Sequence, residues 1–168
     1  MKSIVVYFSR GDEEYGVGRV TPGNTELLAS EIIKKTGADE FKIIPAEKYP
    51  ESYVECIGVA TEEKENNSRP AYTGDVDISD YDTIYLGYPI WWGDLPMAVY
   101  TFLENHDLSG KTIIPFNTHE GSGNNDTYDK LQQKFPAASF RGDGFNMTGT
   151  RARTPEGLKD LDAWLETL

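Results

Sequence analysis

The sequence predicts an α/β protein: an open, parallel, five-stranded sheet with helices on both faces. Three observations carry that expectation. Strand-like and helix-like stretches alternate five times along the chain. The strand-like stretches include continuous apolar, β-branched runs such as SIVVYF at 3–8, which is how a strand buried on both faces reads. Finally, 168 residues is the size of one domain with one core.

The elements follow in order. SIVVYF is the first strand. After a polar, glycine-containing stretch from Gly11 to Gly23, NTELLASEIIKKTG reads as a helix. Leu28 and Ile32 lie four apart, as do Ala29 and Ile33, so each pair shares a face. Asn24 is placed to cap this helix and Gly37 to stop it. EFKIIP is the second strand. PESYVECIGVATEEKENN reads as a helix with Ser52 and Glu55 spaced as a capping box, its charged end a solvated surface. YDTIYLGYP is the third strand. LPMAVYTFLENH is a helix with Val99, Phe102 and Leu103 at helical spacing. KTIIPFNTH is the fourth strand, although Pro115 inside it lacks the amide that a central strand uses. DTYDKLQQKF is a helix with Tyr128, Leu131 and Phe135 on one side, and ASFRGDGFNMTG supplies a fifth, broken strand. In the last helix Thr154 caps, Pro155 suits the first turn, and Leu158, Leu161, Trp164, Leu165 and Leu168 line the buried face. Trp164 is therefore read as core.

Composition narrows the function. Hydrophobic residues at 38% and aromatics at 12% argue for a folded core and against disorder. The net charge of −12 disfavours nucleic acid and anionic membranes, and suits either solubility or docking on basic protein surfaces. One cysteine, Cys56, builds neither a disulfide nor a cysteine-based metal site. With only His106 and His119 beside it, a zinc site is not expected. The N-terminal apolar run is too short for a signal peptide, and no segment reaches transmembrane length, so the expected setting is a reducing cytoplasm without membrane insertion.

In an open sheet of strand order 2-1-3-4-5, ligands bind beyond the carboxyl ends of the strands, at the switch point between the first and third. The loops to inspect are SRGDEEYGVGRVTPGNT, PIWWGD and THEGSGNN, after the first, third and fourth strands. The first ends in Gly23, Asn24 and Thr25 at a helix N-terminus, whose free amides and partial positive charge suit a phosphate. Ser9 and Thr25 add hydroxyls and Asn24 an amide. The plainer reading is helix capping alone. No G-x-x-x-x-G-K-[ST] occurs, and neither GVGRVT nor GSGNND completes a dinucleotide fingerprint. The second loop holds Trp91 and Trp92. Aromatic faces of this kind stack on flat rings; the alternative is packing in a core or a dimer contact. In the third loop His119 is an acid, a base, a hydrogen-bond donor or a simple brace. His106, at a helix end, reads as a surface residue. A flat, partly polar ring carrying one phosphate satisfies all three loops, and flavin mononucleotide (FMN) is such a molecule.

With YFSR, GNT, GYPIWWG and THEGSG in this order, the sequence resembles the flavodoxin family over nearly its whole length, in particular its bacterial flavodoxin-like FMN-binding branch. The resemblance implies a flavodoxin-like three-layer α/β/α sandwich with sheet order 2-1-3-4-5, and non-covalent FMN. It implies that Ser9, Arg10, Asn24 and Thr25 hold the phosphate and that Pro89, Ile90, Trp91, Trp92 and Gly93 border the isoalloxazine ring. Thr118, His119, Glu120, Gly121, Ser122 and Gly123 would complete the ring site. Which tryptophan stacks stays open. Gly93 would also let a carbonyl at Trp92–Gly93 turn over towards the reduced ring. Family members commonly run from SR almost directly into TGNT. Here Gly11 to Pro22 intervene, placing Asp12, Glu13, Glu14, Tyr15 and Arg19 beside the expected cofactor mouth. The implied function is an electron-transfer protein serving redox partner proteins with basic docking faces. The alternatives are an FMN-dependent NAD(P)H:quinone or small-molecule oxidoreductase with His119 or Tyr88 as proton donor, and a flavin-free interaction domain. A homodimer is compatible with each.

Overall fold

The computed structural model describes all residues except 1, 12, 15–17 and 142, and gives only the backbone of Glu13 and Glu14. Its elements are β1 (Ser3–Tyr7), β2 (Glu13–Glu14), β3 (Gly18–Arg19), α1 (Asn24–Thr36), β4 (Asp39–Lys42), α2 (Tyr53–Glu65) and β5 (Thr83–Pro89). Then come α3 (Met97–Glu104), β6 (Thr112–His119), α4 (Thr127–Lys134), β7 (Ser139–Phe140), β8 (Phe145–Thr148), α5 (Gly149–Ala152) and α6 (Pro155–Leu165). The main sheet runs β4-β1-β5-β6, with β7 and then β8 on the outer side of β6, all parallel. Counted by its five main strands, this is the expected order 2-1-3-4-5. The small antiparallel ribbon β2–β3 lies inside the stretch 11–22, and sequence reasoning had not seen it.

Alternation along each strand sends neighbouring side chains to opposite faces. On β1 and just after it, Ile4, Val6 and Phe8 enter one core with Leu86, Tyr88, Phe102 and Leu131. Val5 and Tyr7 enter the other, with Leu28, Ile32, Phe116 and Leu161. Residues of α2, α3 and α4 thus cover one face, and those of α1, α5 and α6 the other.

Pro115 is accommodated by the break in the fifth strand. The carbonyl of Ile113 accepts from Arg141 on the outer side, so the nitrogen of Pro115, two residues on, points the same way. On that side β7 ends opposite Ile113 and β8 begins opposite Phe116, so no ladder bond is asked of position 115.

Three local expectations are corrected. The N-cap of α1 is Gly23, not Asn24, because the helix amide of Glu26 is capped from a distance by Ser9 Oγ at 3.0 Å. Leu168 is 39% exposed, since α6 ends at Leu165, whereas Trp164 is half-buried with its ring 5.2 Å from Phe145. His106 is no simple surface residue. Its ring lies 4.2 Å from that of Phe102, and its nitrogens face the carbonyls of Phe102 and Val76 at 2.7 and 3.1 Å. Among the described residues no helix is long and apolar enough to cross a membrane.

Candidate functional site

The carboxyl ends of β1, β5 and β6 lie side by side, Tyr7 opposite Gly87 and Pro89 opposite Thr118. A cavity of about 220 Å³ opens there. The three loops meet on it: Arg10 and Asn24 from the first, Pro89, Ile90, Trp91 and Trp92 from the second, Thr118, His119 and Glu120 from the third. A fourth wall was missed. Tyr53, Cys56, Ile57 and Ala60 line the cavity from α2. Their spacing, one face of a helix, is visible in the sequence. Which neighbour that face meets is not.

The tryptophan loop is a tight hairpin turn. The amide and carbonyl of Trp91 pair with those of Asp94 at 2.8 and 3.1 Å, and the two residues between have φ of 52° at Trp92 and 70° at Gly93. Positive φ at both central positions is the type I′ form. This geometry separates the two rings. Trp91 turns inward and meets Phe8 and Tyr49 edge-on, at 5.1 and 5.0 Å between centroids. Trp92 stays 55% exposed at the cavity mouth. Below Trp91, the Tyr49 hydroxyl donates to Glu63 at 2.5 Å. Burial, then that bond, pushes the phenol far above its ordinary value, and burial pushes the Glu63 carboxyl up as well. Glu63 is thus not part of the solvated end expected of α2. Gly93 lies outside the cavity lining and does structural work there. A Cβ on it would sit 2.6 Å from Asn125 Nδ2. The expectation of a freely turning carbonyl also meets resistance: Trp92 O already accepts from Lys64, and Gly93 O from Asn125 and Lys130 at 2.9 and 3.1 Å.

The α1 end of the cavity is polar. With Gly23 as N-cap and Glu26 N bonded to Ser9, the amides of Asn24 and Thr25 are left without an acceptor among the described residues. Thr25 Oγ1 is buried and lies 2.8 Å from Thr118 Oγ1, tying the start of α1 to β6. Arg10 is 8% exposed, and its Nη2 donates to the carbonyls of Pro50 and Glu51 at 2.7 and 2.6 Å. It braces the approach to α2 at the cavity's edge. Arg153, which no sequence signal marked, donates to Asn24 Oδ1 at 2.9 Å and to the Pro22 carbonyl at 2.6 Å.

In the third loop His119 is engaged at both nitrogens. Nδ1 accepts from Gly121 N at 2.9 Å and Nε2 donates to Asn146 Oδ1 at 3.0 Å, a tautomer assigned from these partners. Glu120 accepts from Thr150 through its amide and hydroxyl, at 3.0 and 3.3 Å. Gly121 and Ser122 are exposed, and the Gly123 carbonyl accepts from Asn117; these three lie outside the cavity lining because the loop folds back on its own strand. Tyr88 does not reach the cavity either. It is fully buried, its hydroxyl is 2.8 Å from Thr127 Oγ1, and burial holds its phenol well above the ordinary value. Of the calls on the 11–22 stretch, Asp12 and Tyr15 fall outside the described residues, as do the side chains of Glu13 and Glu14. Arg19 pairs with Glu51 at 3.7 Å.

The arrangement joins an aromatic wall to a polar end with unsatisfied amides, so it suits a flat ring with an anionic tail. A family model described as Flavodoxin matches residues 2–168. Among solved structures the chain is similar to a protein from Bacteroides eggerthii assigned as a flavoprotein, with 29% identity and TM-score 0.77 over 99% of this chain and 96% of that one. A second such protein, from Bacteroides uniformis, gives 29% identity and TM-score 0.74, over 98% and 97%. A flavoprotein from Lactobacillus acidophilus, solved in complex with FMN, shares the fold at 17% identity and TM-score 0.68, over 97% of each chain. No match was found among curated proteins.

Proposed function

The chain belongs to the flavodoxin family, and on that premise we propose that it binds FMN non-covalently and acts as a small, single-domain electron-transfer protein. The observation that carries this reading is the meeting, on one cavity, of Asn24 at the start of α1, where two amides have no acceptor among the described residues, and the tryptophan turn. FMN, when bound, supplies the acceptance and release of electrons. The residues present fit it. The amides of Asn24 and Thr25, with the Asn24 side chain, would hold the phosphate. Trp92 presents a free aromatic face, and Trp91 is locked in place against Phe8 and Tyr49. Pro89, Ile90 and the apolar face of α2 would exclude water from the ring. The carboxylate of Glu120 at the cavity would disfavour added negative charge on reduction.

A carrier is favoured over a reductase because the two candidate proton donors are already engaged, Tyr88 in the core and both ring nitrogens of His119 with Gly121 and Asn146. Partners are redox proteins with basic docking faces, complementary to a net charge of −12. The single cysteine, buried in α2, suits a reducing cytoplasm.

The test is an absorbance titration of purified protein with FMN, followed by dithionite. A bound, reversibly reducible flavin spectrum is expected. NAD(P)H oxidation with a quinone acceptor is expected to stay near background without a partner reductase. A colourless protein that does not take up FMN overturns the flavin reading; rapid turnover with NAD(P)H alone overturns the carrier reading.

A further inference from the structure

We propose that Arg153 is the positioning residue that makes the α1 end of the cavity selective for a phosphate; this rests on the FMN reading above. Arg10 was the cation expected there, but its Nη2 is committed to the Pro50 and Glu51 carbonyls. Arg153 arrives from the segment between α5 and α6, far away in sequence. Its planar fork grips both sides of Gly23: Nη2 on the Pro22 carbonyl at 2.6 Å, Nε on Asn24 Oδ1 at 2.9 Å.

This contact decides what Asn24 shows to a ligand. An amide side chain has an acceptor end and a donor end. With Oδ1 held by the guanidinium, Nδ2 is the end without a hydrogen-bond partner among the described residues, and Asn24 lines the cavity. Reversed, the side chain would present a carbonyl oxygen to an anion. Gly149 makes room for this setting, since a Cβ there would fall 2.1 Å from Asn24 Nδ2 and 2.6 Å from Glu120 Oε1. The same distances place a carboxylate close to the donor. A phosphate arriving at this end therefore needs positive charge nearby; Arg10 lines the cavity, and Arg153 lies against Asn24 and turns its donor end to the ligand.

The experiment compares dissociation constants for FMN and for riboflavin, which lacks the phosphate, by quenching of flavin fluorescence. In Arg153→Gln the FMN constant is expected to rise about tenfold, the scale of a lost charge-assisted contact, while the riboflavin constant changes less than about twofold. Arg153→Lys keeps the charge and loses the fork, so its FMN-to-riboflavin preference is expected to fall about threefold. Equal weakening of both ligands, or an unchanged preference in both variants, overturns the assignment. Should the glutamine variant fail to fold, an unchanged preference in the lysine variant alone overturns it. If wild-type protein binds neither flavin, the FMN reading itself fails and this inference with it. If wild type binds FMN and the variants keep its preference, only this inference fails.

Discussion

Trp92 sits at φ 52°, in a backbone region that costs a bulky residue roughly 1–3 kcal/mol. Its ring is more than half exposed, so little packing offsets that cost. A strained, exposed aromatic at a cavity mouth suits a ligand better than a core. Trp92→Asn places the preferred residue in a type I′ turn. We expect it to raise the melting temperature by about 2–4 °C while weakening FMN binding, read by thermal unfolding and by flavin fluorescence. Trp91→Ala should do the opposite to stability. It removes the edge contacts with Phe8 and Tyr49 and is expected to cost about 2–4 kcal/mol in denaturant unfolding. If both substitutions lower stability equally, the division of labour between the rings is wrong. Sequence alone implied that neighbours diverge. It did not say which one faces out, because that depends on the sign of φ in a two-residue turn.

Among the elements, α1 shows how distant residues complete a helix. Its third amide is capped by Ser9, two residues past β1, and the Asn24 side-chain amide is held by Arg153, beyond α5. The local sequence nominated Asn24 as the cap because it scores only neighbours. Further along, Glu31 of α1 faces Asp162 of α6, while Lys35 pairs with Asp162 at 3.4 Å. Burial first, and then the Asp162 carboxylate, raises the Glu31 carboxyl above its ordinary 4.5. A carboxyl raised on folding stabilises while protonated, and that stability is lost as pH rises through the folded value. At neutral pH the charged form therefore carries a cost. Glu31→Gln is expected to raise the melting temperature at pH 7, with the gain vanishing below pH 4.5, in unfolding followed across that range. A gain independent of pH would point away from the carboxyl.

For the whole molecule, ligand linkage supplies the check. A cofactor that binds only the folded chain stabilises it by RT ln(1 + [L]/Kd), about 2.7 kcal/mol at a hundredfold excess over Kd. We therefore expect the melting temperature to climb with the logarithm of FMN concentration, and riboflavin to give a smaller rise at equal concentration. The sheet order was legible only through the family resemblance, whereas the five strand-helix units and the three loops were legible in the residues themselves. They rest on periodicity and on turn residues, which are local properties of the chain. Even the conflict at Pro115 was legible; its resolution was not, because it lies in where β7 and β8 break against β6. By itself the sequence determined the fold class, the family resemblance and the end of the sheet where a ligand would sit. Only the tertiary structure decided that Trp92 rather than Trp91 is exposed, that α2 forms a fourth wall, and that Arg153 holds Asn24 while Arg10 braces the Pro50 and Glu51 carbonyls. Each of these depends on groups brought together across long stretches of chain, 129 residues in the case of Asn24 and Arg153, and no local pattern encodes such a meeting.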